Sequence, residues 1–145
     1  MDIKKLERED IDKCVDLCIA SSNRPPWNHQ WGYDRALKYL KEFADQPRFV
    51  GFAIYEQGAI TGILLAHTKT WWENDLLYID EFFIVPEKQR IGYGKRLLNH
   101  AEAYAREQGC GIVSLVTTRY MLTNEFRNDL NYHHAEHYMF LFKPV

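Results

Sequence analysis

Two adjacent acids, Asp80 and Glu81, interrupt the apolar stretch Leu76–Val85. The residues around them are aromatic or branched, the composition of a buried strand. Burying a carboxylate is costly, and one held beside a reacting group can take up a proton as a general base. A few residues on, Gln89-Arg90-Ile91-Gly92-Tyr93-Gly94-Lys95 brings a second kind of chemistry. Pro86 ends the strand because proline has no N–H to donate, and the two glycines open an amphipathic helix. The free N–H groups of a first helical turn point at an anion, the helix dipole favours negative charge there, and glycine lets the backbone come close. Lys88, Arg90, Lys95 and Arg96 add positive charge. The first expectation is therefore a proton acceptor next to a phosphate-type anion site.

A nucleotide P-loop would need Lys-Ser or Lys-Thr after its second glycine, but Lys95-Arg96 follows Gly94; a dinucleotide fingerprint would need a third glycine, which Gly92-Tyr93-Gly94-Lys95-Arg96-Leu97 lacks. Gln89-Arg90-Ile91-Gly92-Tyr93-Gly94 resembles instead the Q/R-x-x-G-x-G/A pyrophosphate loop of the GNAT superfamily of N-acetyltransferases. Its setting, after a strand ending Ile84-Val85-Pro86-Glu87 and before a helix, is similar too. The resemblance implies transfer of an acetyl group from acetyl-CoA, as cosubstrate, to a primary amine. It implies that backbone groups of Phe83, Ile84 and Val85 meet the pantetheine arm. It further implies that Gln89, Arg90, Ile91, Gly92, Tyr93, Gly94 and Lys95 hold the pyrophosphate, and that Asn124 contacts the cofactor. A backbone N–H near Phe83 would polarise the thioester carbonyl.

An attacking amine must be neutral, and an alkylamine has a pKa of about 10.4 in water, so a base is required. Asp80 and Glu81 both lie on the strand beside the expected thioester. Strand alternation puts Tyr78, Asp80, Phe82 and Ile84 on one face and Ile79, Glu81, Phe83 and Val85 on the other, which does not choose between them. The family commonly places its acid near the middle of this strand, and that favours Glu81. Family members often carry an F-Y-x-x-x-G-F/Y segment whose tyrosine protonates the departing thiolate. Here Phe126-Arg127-Asn128-Asp129-Leu130-Asn131-Tyr132 keeps the outer aromatic residues. Asn131, a residue that visits the left-handed region, replaces the glycine, and Arg127 replaces the tyrosine. Arginine cannot act as an acid near neutral pH, but its fixed charge suits a thiolate, so Arg127 is expected against CoA. Tyr120, which follows the strand lining the thioester, is expected as the acid ahead of Tyr132.

Periodicity supplies the elements that must position these residues. Ile3–Leu6 is a short strand. From Asp10 onward, Ile11, Cys14, Val15, Cys18 and Ile19 recur at helical spacing, one buried face. A second helix runs from Tyr33 to Ala44. Arg48–Tyr55 and Ala59–Thr68 form a hairpin through Glu56-Gln57-Gly58, and Leu76–Val85 follows as the next strand of a meander. The helix after the glycines extends to about Gln108. Gly111–Thr117, reached by a crossover, should lie parallel to the strand before it. Thr123–Leu130 is expected as a short helix and His137–Phe142 as a last strand. The order β-α-α-β-β-β-α-β-α-β is similar to the GNAT arrangement. The expected class is α/β (α+β), a central mixed, mostly antiparallel sheet flanked by helices, with residues 1–145 forming one N-acetyltransferase domain.

At 145 residues, 46% hydrophobic and 14% aromatic, the chain can bury a proper core. A net charge of −2 leaves no electrostatic footprint for nucleic acid. No apolar run approaches the roughly 20 residues of a membrane helix, and the N-terminus lacks a signal peptide's apolar core, so a cytoplasmic location is expected. Cys14 and Cys18, one turn apart, are expected as small core residues. His133, His134 and His137 come without a carboxylate–cysteine set, and no metal site is expected. Trp27, Trp31, Trp72 and Asp75 lie in two connections expected to wall the acceptor pocket. The small chain leaves little room for a macromolecular docking surface, which points to a small amine, aminoglycoside- or polyamine-like. Acetylation of a protein amine, a non-catalytic acyl-CoA-binding or sensing domain, and an interaction module using the aromatic loops are the competing readings. Whether the chain forms a homodimer, through its final strand or an exposed edge, stays open.

Overall fold

The structure is a computed structural model and describes residues 1–25, 27–117 and 129–145. Strand β1 (Asp2–Lys5) is followed by a 3-10 stretch (Arg8–Cys14) that runs straight into helix α1 (Val15–Ser22). Helix α2 (Tyr33–Ala44) precedes strands β2 (Phe49–Glu56), β3 (Ala59–Lys69) and β4 (Asp75–Ile84). A 3-10 turn (Pro86–Lys88), helix α3 (Tyr93–Glu107) and strand β5 (Cys110–Leu115) complete the described elements.

The sheet has the order β1-β2-β3-β4-β5. Its first three pairings are antiparallel and the β4–β5 pairing is parallel. The β2–β3 turn carries positive φ at both Gln57 (49°) and Gly58 (79°), the backbone that matches strand twist in a two-residue hairpin. The crossover that makes β5 parallel is α3 itself, stopped at Gly109 with φ 80°.

Helices cover both faces. On one side the apolar stripe of α3, with Leu97, Leu98, Ala101 and Ala105, packs on Phe52, Leu64, Leu77 and Ile79. On the other, Cys14, Val15 and Cys18 join Ala36, Leu40 and Ala44 of α2 over Ala53, Ile63 and Leu65. The two cysteines are fully buried, as their spacing implied. Burial pushes the Cys14 thiol up to about 12 and the Cys18 thiol up to about 11, with nearby Asp10 adding to the former. Such thiols stay protonated and pack as small hydrophobes.

Two expectations change. The first helix begins as a 3-10 turn and becomes α-helical only at Val15. The expected last strand, His137–Phe142, is not a strand: among the described residues no strand pairs with it, and Tyr138, Met139, Phe140, Leu141 and Phe142 are all exposed. Their composition favours a strand, but a strand exists only where a neighbour offers its edge. Residues 123–128 of the expected short helix lie outside the described residues. Among the described residues, no helix is long and apolar enough to cross a membrane.

Candidate active site

A cleft opens where two strands part. The β4–β5 ladder ends at Ile79↔Leu115, whereas β4 stays paired with β3 as far as Ile84↔Gly62. From residue 80 onward, one edge of β4 therefore has no strand beside it among the described residues, and a cleft of about 470 Å³ occupies the gap. The N–H of Val85 donates to Thr61 O on the β3 side (2.9 Å). Backbone direction alternates along an antiparallel strand, so the groups of Phe83 also face β3, and those of Phe82 and Ile84 face the cleft. This corrects the expectation that Phe83, Ile84 and Val85 all present backbone groups there. Of the three only Ile84 does, and its carbonyl already accepts from Ser21 Oγ and Gln89 Nε2, both at 3.0 Å.

The acids are set by a β-bulge. Glu81 pairs with Leu65 and Ile79 with Ala66, so Asp80 is an extra residue with no partner on β3. The extra residue breaks the alternation assumed from the sequence. Leu77, Ile79, Phe82 and Ile84 lie on the α3 side, while Glu81, Phe83 and Val85 turn toward α1 and α2. Asp80 turns the same way as Glu81. It lies 2.8 Å from His67 Nδ1 and accepts from Gln46 Nε2 (3.1 Å), just past the end of α2. Glu81 Oε1 accepts a hydrogen bond from the Tyr39 hydroxyl, on α2 itself. Burial pushes the Glu81 carboxyl above the usual carboxylate range and the charge of Asp80 adds to this, while the Tyr39 bond pulls the other way. Tyr39 in turn is held well above an ordinary phenol, first by burial and then by Glu81. Both acids line the cleft.

The glycine loop meets the same cleft. Gly92 has φ 96° and immediately precedes α3. The first helical bond runs from Arg96 N–H to Gly92 O (3.1 Å), which leaves the N–H groups of Tyr93, Gly94 and Lys95 without a helical acceptor. Arg90, Gly92, Gly94, Lys95 and Gln89 line the cleft. Arg90 holds a positive φ of 64°. Lys88 and Arg96 turn elsewhere, toward Glu56 and Met1. Tyr93 is buried, with its hydroxyl on Glu56 Oε1 (2.6 Å), so it supports the loop from behind. Ile91 points into solvent.

Trp27 and Trp31 do line the cleft, with His29, Tyr39 and Phe83. Trp72 and Asp75 do not. They belong to a separate pocket of about 180 Å³ with Trp71 and Gly111. Asp75 starts β4 and the acids lie past its middle, so at about 3.3 Å per residue the two sites are roughly 15–20 Å apart. Asp75 is also taken by the guanidinium of Arg48. Tyr120, Asn124 and Arg127 lie outside the described residues. Asn131 does adopt φ 58°, the left-handed conformation expected where the motif has glycine. Tyr132 donates to Glu102 on α3 (3.3 Å). Among the described residues, no three His, Cys, Asp or Glu side chains gather as a metal site.

Tyr39, His67 and Gln46 are the residues at this site that the sequence does not announce. Each acts across the fold, and no local pattern marks them.

Comparison with known proteins agrees with this geometry. The sequence model of the acetyltransferase (GNAT) family matches residues 15–124, and the chain belongs to that family. No curated protein matches the sequence. Among solved structures, an integron cassette protein from the mobile metagenome of V. cholerae superposes with a TM-score of 0.82 at 15% identity, over 99% of this chain and 92% of that one. An aminoglycoside N-acetyltransferase in complex with CoA gives 0.75 at 15% identity, over 99% and 95%. A ribosomal-protein-alanine N-acetyltransferase from Brucella melitensis biovar Abortus gives 0.75 at 13% identity, over 99% of both chains. At such identities the likeness is one of fold.

Proposed function

We propose that this protein transfers the acetyl group of acetyl-CoA to the primary amine of a small molecule, with Glu81 as the base. The observation that carries this reading is the convergence, in one cleft, of a helix N-terminus free of capping side chains and a half-buried carboxylate of raised proton affinity. The residues present fit the cosubstrate. The unpaired N–H groups of Tyr93, Gly94 and Lys95, with Arg90 and the Lys95 side chain, suit a pyrophosphate. The edge of β4 at the Phe82 backbone groups and the Ile84 N–H suits an amide-bearing arm that adds beside a strand. When bound, acetyl-CoA supplies an activated acyl group: the amine lone pair forms the C–N bond, the C–S bond breaks with its electron pair going to sulfur, and the proton the nitrogen sheds as the amide forms balances the one the thiolate takes up.

Glu81 accepts a proton from the arriving ammonium, directly or through a water, and so frees the nitrogen lone pair. Tyr39 holds that carboxylate in place. Asp80, engaged by His67 and Gln46, lies beside it and helps draw a cationic amine into the cleft. A thiol with a pKa of about 8.5 leaves readily as an anion, so the fixed charge of Arg127 serves where the family often has tyrosine, and Tyr120 is the proton donor we assign. Release of free CoA across an amine panel tests the activity. Glu81→Gln should lower kcat/KM by roughly 10²–10⁴ with acetyl-CoA binding retained, and Asp80→Asn should cost much less. Equal, small losses in both would remove Glu81 from the role. The second reading, a non-catalytic acyl-CoA-binding domain, is favoured by Arg127 at the tyrosine position; it predicts a thermal shift with acetyl-CoA and no CoA release.

A further inference from the structure

The acceptor end of the cleft has one locus of negative charge and a wall of rings. Among the described residues that line the cleft, the only acids are Asp80 and Glu81, adjacent on β4, and the cations Arg90 and Lys95 stand at the loop end. Asp80 already serves His67 and Gln46. Among the described lining residues, a substrate with several separated ammonium groups would find one carboxylate site and then either apolar surface or the loop cations, of which Lys95 is already paired with Asp129 (4.0 Å). Each further ammonium would lose water without gaining a partner.

The wall is built for something flat. The rings of Trp31 and Tyr39 lie 4.9 Å apart with 31° between their planes, and Tyr39 meets Phe43 edge-on at 4.8 Å. The Asn23 side chain clamps the Trp31 backbone from both sides: its Oδ1 accepts the Trp31 N–H (2.9 Å) and its Nδ2 donates to the Trp31 carbonyl (3.1 Å). The Trp31 indole N–H donates to His29 Nδ1 (3.3 Å). Trp31 is thus fixed before any ligand arrives, and such a ring needs little ordering to stack on another. Tyr39 joins the two features, because its ring belongs to the wall and its hydroxyl touches Glu81.

From this we infer that the acceptor is a monoamine whose primary amino group is joined by a short aliphatic link to a flat apolar ring, an arylalkylamine. Its ammonium meets Glu81 and its ring packs against Trp31 and Tyr39. This departs from the polycationic acceptor expected from the sequence, and it rests on the transferase reading above.

The test is a CoA-release assay with saturating acetyl-CoA and matched amines: 2-phenylethylamine and tryptamine against hexylamine, spermidine and kanamycin. The arylalkylamines should exceed hexylamine and spermidine in kcat/KM by about tenfold or more, the usual worth of one well-packed ring. Trp31→Ala should remove that advantage by raising KM for the arylalkylamines more than for hexylamine, with acetyl-CoA affinity unchanged. Trp31→Phe should restore part of it, which a merely unfolded variant would not. Spermidine or kanamycin matching or beating the arylalkylamines would overturn the substrate class and leave the transferase reading standing. Acetyl-CoA binding without turnover of any amine would overturn that reading and the inference with it.

Discussion

The Tyr39–Glu81 contact makes two measurable demands. A base whose carboxyl is pushed up by burial is ionised only at higher pH than an ordinary carboxylate, so the acidic limb of kcat/KM should stand above the usual carboxylate range. The Tyr39 hydroxyl opposes that push. Tyr39→Phe should therefore move the limb further toward alkaline pH, with a loss of roughly 3–10-fold at the acid end that recovers as pH rises. A pH profile of kcat/KM checks it, and a uniform loss across pH would assign Tyr39 to substrate packing alone. The second demand concerns stability. A carboxyl raised on folding contributes stability below its unfolded value and loses it as pH rises through the folded one. At neutral pH Glu81 is on the costly side, so Glu81→Gln should keep or raise Tm there even as it lowers activity. None of this was legible in the sequence beyond the acids themselves. That a helix residue some forty positions earlier would meet Glu81 is a tertiary fact, and the pairing of His67 with Asp80 is another.

At the scale of elements, the glycine loop shows how the same residue type can be needed for different reasons. Gly92 has open space around it but a φ of 96°, so Gly92→Val costs backbone strain of about 1–2 kcal/mol. Gly94 has ordinary backbone, yet an added Cβ would come within 3.0 Å of the Phe82 ring. Gly94→Ala asks that ring to give by a few tenths of an ångström, and Gly94→Val asks for more. We expect Gly92→Val to lower Tm and weaken acetyl-CoA binding together. Gly94→Val should weaken binding and displace Phe82, visible as a changed aromatic near-UV spectrum. Wild-type affinity in both, by calorimetric titration, would detach the loop from the cosubstrate. This loop was legible because its demands are local: glycines, a helix start and basic residues all show in the chain. The β4 faces were not, since strand parity holds only for an unbroken ladder. Trp72 and Asp75 misled for a related reason: aromatic loops resemble one another in sequence, and only the strand between them fixes which end of the sheet each one occupies.

Across the whole molecule, the sheet buries its two faces under α3 and under α1 with α2, and leaves a run of large apolar side chains uncovered at residues 138–142. Core and tail should respond in opposite ways to truncation. Leu97, fully buried between α3 and the sheet, should cost about 2–5 kcal/mol as Leu97→Ala. Phe140→Ser with Phe142→Ser removes two side chains, each about four-fifths exposed, and should shift Tm by no more than about 1–2 °C. The same pair should reduce concentration-dependent light scattering, because an exposed apolar run of this size promotes association. A large fall in Tm would show that the run is covered in solution. Here the sequence misled through propensity: Tyr, Met, Phe and Leu in series suit a strand, but pairing depends on an edge that no residue in the run can specify.

The bulge at residue 80 also makes part of β4 dispensable in a way no substitution would reveal. Ile79 faces Ala66 and Glu81 faces Leu65, so the β3 ladder has no use for the residue between them. Losing that codon would close the ladder and leave every remaining pairing as it was, with one acid still opposite Leu65. Losing Glu81 would do the same, with Asp80 moving into its place. Losing Ile79 or Phe82 would instead pull an acid onto the α3 side, among Leu77, Leu97 and Leu98, because a one-residue slip reverses strand faces. A codon-by-codon deletion scan of residues 77–84, scored by soluble expression, should therefore show a narrow window of tolerance at 80 and 81 with collapse on either side. Tolerance spread evenly across the scan would mean that β4 is not held in register by β3. Within this strand, the chain can vary in length only at the point where its chemistry is placed.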